Sequence, residues 1–109
     1  MSTVAVTITL PTTRVDGSAL ALSEIASVVL SKAVGSSAAV VVDNVAGPFT
    51  DPTVTYIDAN PDFGQVDNYS AVVTDVEGNT SAAGTASVTI PPSQLAAPSA
   101  PTLTAVFTA

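Results

Sequence analysis

The chain has 109 residues, no cysteine and no histidine, and nine acidic against two basic side chains, for a formal charge of −7. That balance excludes the phosphate neutralisation on which nucleic-acid binding rests, disfavours anionic membranes, and removes disulfide scaffolds, thiol catalysis and most zinc sites. With 47% hydrophobic and only 10% charged residues, and with Val, Ala, Ser and Thr prominent, the composition suits a single all-β domain with a modest core.

Residues 3–10 alternate cleanly, with Val4, Val6, Ile8 and Leu10 on one side and Ala5, Thr7 and Thr9 on the other. They form the first expected strand, which Pro11 closes. A loop follows in which Asp16-Gly17 marks a turn. Residues 19–34 fit two periods. Leu22, Ile25, Ala26, Val29 and Ala33 satisfy helical spacing, but the β-branched core from Ile25 to Leu30 and the period of two on either side favour a strand. Gly35-Ser36-Ser37 is a turn, residues 38–45 another strand, and Gly47-Pro48-Phe49-Thr50-Asp51-Pro52 a rigid loop. A short strand over 53–57 and a polar connection over 58–64 lead to the stretch that organises the chain. Tyr69, Ala71 and Val73 share one strand face there, Glu77-Gly78-Asn79 supplies a tight turn, and Ala86, Val88 and Ile90 resume the alternation. Residues 91–101 are rich in proline and read as an extended, semi-rigid linker of roughly 30 Å at ~3.1 Å per residue. Residues 102–108 read as a last strand.

The start of the chain carries neither a basic region nor an apolar signal segment, and no apolar run approaches the ~18 residues of a membrane span. A soluble protein is therefore expected. A nucleophilic hydroxyl needs a base beside it, and with no histidine or cysteine and Lys32 as the only lysine, neither catalysis nor a cofactor is expected. Asp58, Asn60 and Asp62 have the one-three-five spacing of a calcium loop. Gly64 comes one position late, however, and Tyr69 stands where the closing Glu belongs, so the segment reads as a polar turn.

Several short strands at close spacing point to a β-sandwich. The residues resemble a fibronectin type III domain of the immunoglobulin-like class found in bacterial and tailed-phage proteins. Asp16-Gly17-Ser18-Ala19-Leu20 resembles the family's turn before its third strand, and Tyr56-Ile57-Asp58 its fifth strand. Tyr69 takes the place of the tyrosine-corner residue, and Asp75-Val76-Glu77-Gly78-Asn79-Thr80-Ser81 is similar to the family's last hairpin. The likeness runs over residues 4–90. The family's core Trp is absent, with Ile8 or Leu10 nearest its position. The chain also starts at the family's second strand, while a segment similar to the first, Pro98-Ser99-Ala100-Pro101-Thr102-Leu103-Thr104-Ala105-Val106-Phe107, stands at the other end.

The resemblance implies a sandwich of about seven strands over residues 1–91, a linker over 92–101 and a C-terminal strand over 102–109 that docks on its own or a neighbouring subunit. A sandwich short of one strand exposes an edge that must be covered, so donation to a neighbour is expected, with Leu103, Val106 and Phe107 as anchors. The implied function is that of a non-enzymatic virion protein made in the host cytoplasm. It would be a phage capsid decoration or other head or tail accessory protein whose partners are other virion proteins and copies of itself, with no nucleic acid and no membrane. The alternative is a carbohydrate-binding or adhesive module, with Phe49, Tyr56 and Phe63 on glycan-contact loops.

Overall fold

The alternation at the start of the chain produces the expected strand. In a computed structural model, which describes residues 2–92 and 97–109, β1 (Val4–Thr9) pairs antiparallel with β4 (Thr53–Asp58), Val4 lying opposite Asp58 and Thr9 opposite Thr53. The other strands are β2 (Ile25–Val34), β3 (Val40–Ala46), β5 (Val66–Asp75) and β6 (Gly84–Thr89). They form a four-stranded sheet in the order β3-β2-β5-β6 with every pairing antiparallel. The described residues are thus all-β, with six strands in two sheets.

The sheets pack through their inward faces. Ile8 and Leu10 on and after β1, Val54 on β4, Ile25 and Val28 on β2, and Ala71 and Val73 on β5 meet in one apolar cluster, joined by Leu20, Leu22 and Phe49. Leu30 and Tyr69 extend the buried layer. Small aliphatics carry most of it, as a chain without tryptophan requires. The central pair β2 and β5, ten residues each, is the longest and holds most of the buried positions, as expected for strands paired on both edges.

The ambiguity over residues 19–34 resolves by position. A single 3-10 turn, Leu22–Glu24, precedes the strand Ile25–Val34. Glu24 accepts a hydrogen bond from the Ala21 amide at 2.9 Å, and its own amide bonds the Ala21 carbonyl at 2.9 Å. This local closure accounts for the helical spacing at the front of the segment, while the β-branched residues behind it pair in the sheet. In the β5–β6 connection, Asp75 accepts from the Glu77 and Asn79 amides, and Gly78 adopts a φ of 91° that disfavours any side chain.

The segment expected as a C-terminal strand, residues 102–109, pairs with no strand among the described residues of this single chain. Residues 97–109 carry no strand pairing and are exposed throughout. Residues 93–96 of the expected linker lie outside the described residues. The molecule measures 90 × 26 × 21 Å, with a radius of gyration of 22.0 Å, against about 13 Å for a compact chain of this length.

Candidate functional site

Two features of the fold are incomplete. The first is the flank between β1 and β6. Each is the end strand of its sheet on that side, so each presents a row of unpaired amides and carbonyls. Between them lies a cleft of about 200 Å³ lined by Val6, Ile8, Leu30, Tyr69, Ala71, Gly84 and Ala86 together with neighbouring Thr and Ser residues. The register explains its character. Gly84 and Ala86 stand opposite Ala71 and Tyr69, which places them on the inward face of β6, yet both remain exposed. An inward position open to solvent is a place where the sandwich lacks a cover. The residues there are small, and Val6 and Ile8 across the gap are only half-buried.

A second, larger cleft of about 470 Å³ lies between the loop after β1 and the β5–β6 connection, lined by Pro11, Arg14, Val15, Leu20, Val73 and Ser81 among others. Its floor is braced by Arg14, which bonds Asp75 at 2.8 Å and Glu24 at 3.0 Å. The Arg14 and Asn79 contacts hold the Asp75 carboxyl well below the usual carboxylate range.

The second incomplete feature is the arm. Leu103, Val106 and Phe107, singled out from the sequence, are 82%, 87% and 91% exposed. Large apolar side chains on an exposed, unpaired, β-competent segment are costly unless something covers them. The chain departs toward the arm from the end of β6, where the Gly64 amide bonds the Ile90 and Pro91 carbonyls. That is the end of the sandwich at which β1 begins, since Val4 lies opposite Asp58.

The same end is closed by a charged plug that sequence reasoning missed. Lys32 Nζ lies 2.6 Å from Asp58 Oδ2, 2.5 Å from Asp62 Oδ2 and 3.6 Å from Asp67 Oδ2. Tyr69 donates its hydroxyl to Asp58 at 2.6 Å. Burial opposes the charge on Lys32, but the hydrogen bonds to Asp58 and Asp62 outweigh it and raise its pKa. Burial likewise works against ionised Asp58, and the Lys32, Tyr69 and Asn60 hydrogen bonds overcome it and lower the pKa. Asp67 is different: it is fully buried, its Oδ1 has no hydrogen-bond partner among the described residues, and burial raises its pKa. One lysine among three carboxylates cannot neutralise them all, and the most buried one resists ionisation.

The pattern was visible in the sequence. Val28, Leu30 and Lys32 continue one alternation, as do Val54, Tyr56 and Asp58, and Asp67 stands two residues before Tyr69. Three inward-facing runs end in charge at one level of the sandwich. Here Asp58 and Asp62 of the calcium-like spacing are engaged by Lys32, and no cluster of three or more acidic side chains among the described residues is arranged for a metal ion.

The three aromatics named for glycan contact do not share a surface. Phe49 packs on the Leu10 and Ile25 cluster. Tyr56 pairs with Val6 and lies half-buried on the inward alternation of β4. Phe63 is 40% exposed in the connection at the far end of that strand. A six-residue strand separates the Phe49 and Phe63 loops, roughly 17–20 Å, so they form no common platform. The chain matches no family model, no curated protein and no solved structure.

Proposed function

We propose that this protein is a non-enzymatic structural module that works by assembly, as an accessory component of a phage virion such as a capsid decoration or another head or tail protein. One observation carries the reading: an open sandwich flank and an exposed apolar arm occur in the same chain. Each is unfavourable alone, and each is relieved by contact with another subunit. The strand order supports the fibronectin type III reading, since β1 and β4 correspond to the family's second and fifth strands and β3-β2-β5-β6 to its other sheet. In that correspondence the vacant place beside β1 belongs to the family's first strand. The acidic surface, with its formal charge of −7, keeps such a module soluble before assembly and away from nucleic acid.

The test is the mass of the native 109-residue protein by light scattering over a dilution series, beside a chain ending at Pro92. A defined oligomer that becomes a folded monomer on removal of the tail supports the reading. A monomer at every concentration for both chains, or strong selective binding on a glycan array, replaces it with the adhesive alternative.

A further inference from the structure

We propose that residues 102–108 of one copy lie as a strand in the β1–β6 cleft of a second copy. The inference rests on the assembly reading above and specifies its interface.

The arm and the cleft match in chemistry. The cleft lies between two unpaired strand edges, and an extended segment has the amides and carbonyls to complete such an edge. As a strand, the arm divides by period two into a face of Leu103, Ala105 and Phe107 and a face of Thr102, Thr104, Val106 and Thr108. The first is apolar with its bulk at both ends, and the second is mostly hydroxylated. The inward positions of the cleft are the reverse, with Gly84, Ala86 and Ala71 leaving room beside Val6 and Ile8. A cavity of about 150 Å³ accepts a benzene ring, so the 200 Å³ present here accommodates the ring of Phe107. Leu103 and Phe107 are then the anchors. Val106, although equally exposed, faces outward with the threonines, because one strand cannot turn residues 103, 106 and 107 to the same side.

The occupant is a second copy because of how the arm leaves the body. Pro91, Pro92, Pro98 and Pro101 fix φ at four points and remove four amide donors. Residues 97–109 are exposed throughout and carry no strand pairing, so the described part of the arm does not fill its own flank. Arm and cleft are different surfaces, which makes the contact heterologous. Each copy donates once and receives once, and the array closes into a ring or grows as a filament according to the rotation between copies.

The absence of cysteine allows the contact to be mapped in the full chain. Thr7, on the outer face of β1, is replaced by Cys together with Cys at Thr104 or at Val106, both on the outward face of the arm, and the proteins are oxidised. Denaturing electrophoresis without reductant should show covalent dimers and higher multiples for at least one pair. The control pair Thr55→Cys with Thr104→Cys, which moves the first thiol to β4, should stay monomeric. Crosslinks confined within single chains overturn the inference by placing the arm on its own flank.

Phe107→Asp should weaken assembly at least 100-fold with an unchanged circular dichroism spectrum, whereas Val106→Asp should leave it within a few-fold. Equal effects of the two overturn the proposed face. An oligomer that survives Phe107→Asp and yields no crosslinks to position 7 overturns this interface while leaving the assembly reading standing. A monomer at all concentrations removes both.

Discussion

At the scale of single residues, the plug around Lys32 has the sharpest consequences. Removing one partner of a buried ion pair leaves uncompensated charge, so Lys32→Met should cost about 3–5 kcal/mol, read by denaturant unfolding at neutral pH. A loss below ~1 kcal/mol would mean that the carboxylates are solvated despite the geometry. Asp67 and Asp58 should respond to pH with opposite signs. The folded-state pKa of Asp67 is raised, so its ionisation weighs against the fold, and acidification from neutral toward about pH 4 should stabilise the protein. The folded-state pKa values of Asp58 and Asp75 are lowered. Their contributions are present above the unfolded pKa of about 4 and are lost as the pH falls through the folded-state values. The melting temperature of the native chain should therefore peak in mildly acidic solution. In Asp67→Asn the rise between pH 7 and 4 should disappear while the acid-side fall remains, and the variant should be at least as stable as the native chain at pH 7. A variant that melts far lower at pH 7 would show that an ionised Asp67 supports Lys32.

At the scale of elements, the central strands carry the fold and the flanking ones carry its liability. Leu30→Ala on β2 empties a position at 2% exposure and should cost about 2–5 kcal/mol, measurable in the midpoint of urea unfolding. Ala86→Val on β6 fills an exposed inward position with a β-branched side chain, and the monomer should gain or keep stability. The same change narrows the cleft and, on the proposed interface, should weaken assembly, which separates folding from assembly in one variant. If the monomer is destabilised instead, that position is already packed. Gly47→Ala tests the rigid loop, because a Cβ there would meet the Ile25 carbonyl at 2.8 Å. Backbone has to shift to admit it, and the melting temperature should drop.

At the scale of the whole molecule, the sandwich and the arm should be separable. Among the described residues, the apolar cluster and the charged plug draw on none beyond Pro91, and the backbone ties nearest the arm are those involving Gly64 and Ile90. A chain ending at Pro92 should keep its β-sheet circular dichroism and a cooperative melt within a few degrees of the full chain diluted to monomer. Loss of the cooperative melt would show that the arm belongs to the core.

The period of two, repeated through residues 3–10, 53–57, 67–74 and 86–90, was enough to establish an all-β sandwich, because a strand's faces are written directly in its alternation. It also marked residues 102–108 as β-competent, with Leu103, Val106 and Phe107 as the expected anchors; dividing them between two faces belongs to the proposed interface. The ion-pair plug followed the same alternation and was overlooked because Lys32, Asp58 and Asp67 lie far apart in the chain and only pairing brings the ends of their strands to one level. Tertiary structure alone decided that Phe49 packs into the core, that residues 22–24 close a turn before β2, and that the gap falls between β1 and β6. Each depends on which strands become neighbours, and neighbour choice is settled by long-range burial that no local pattern encodes.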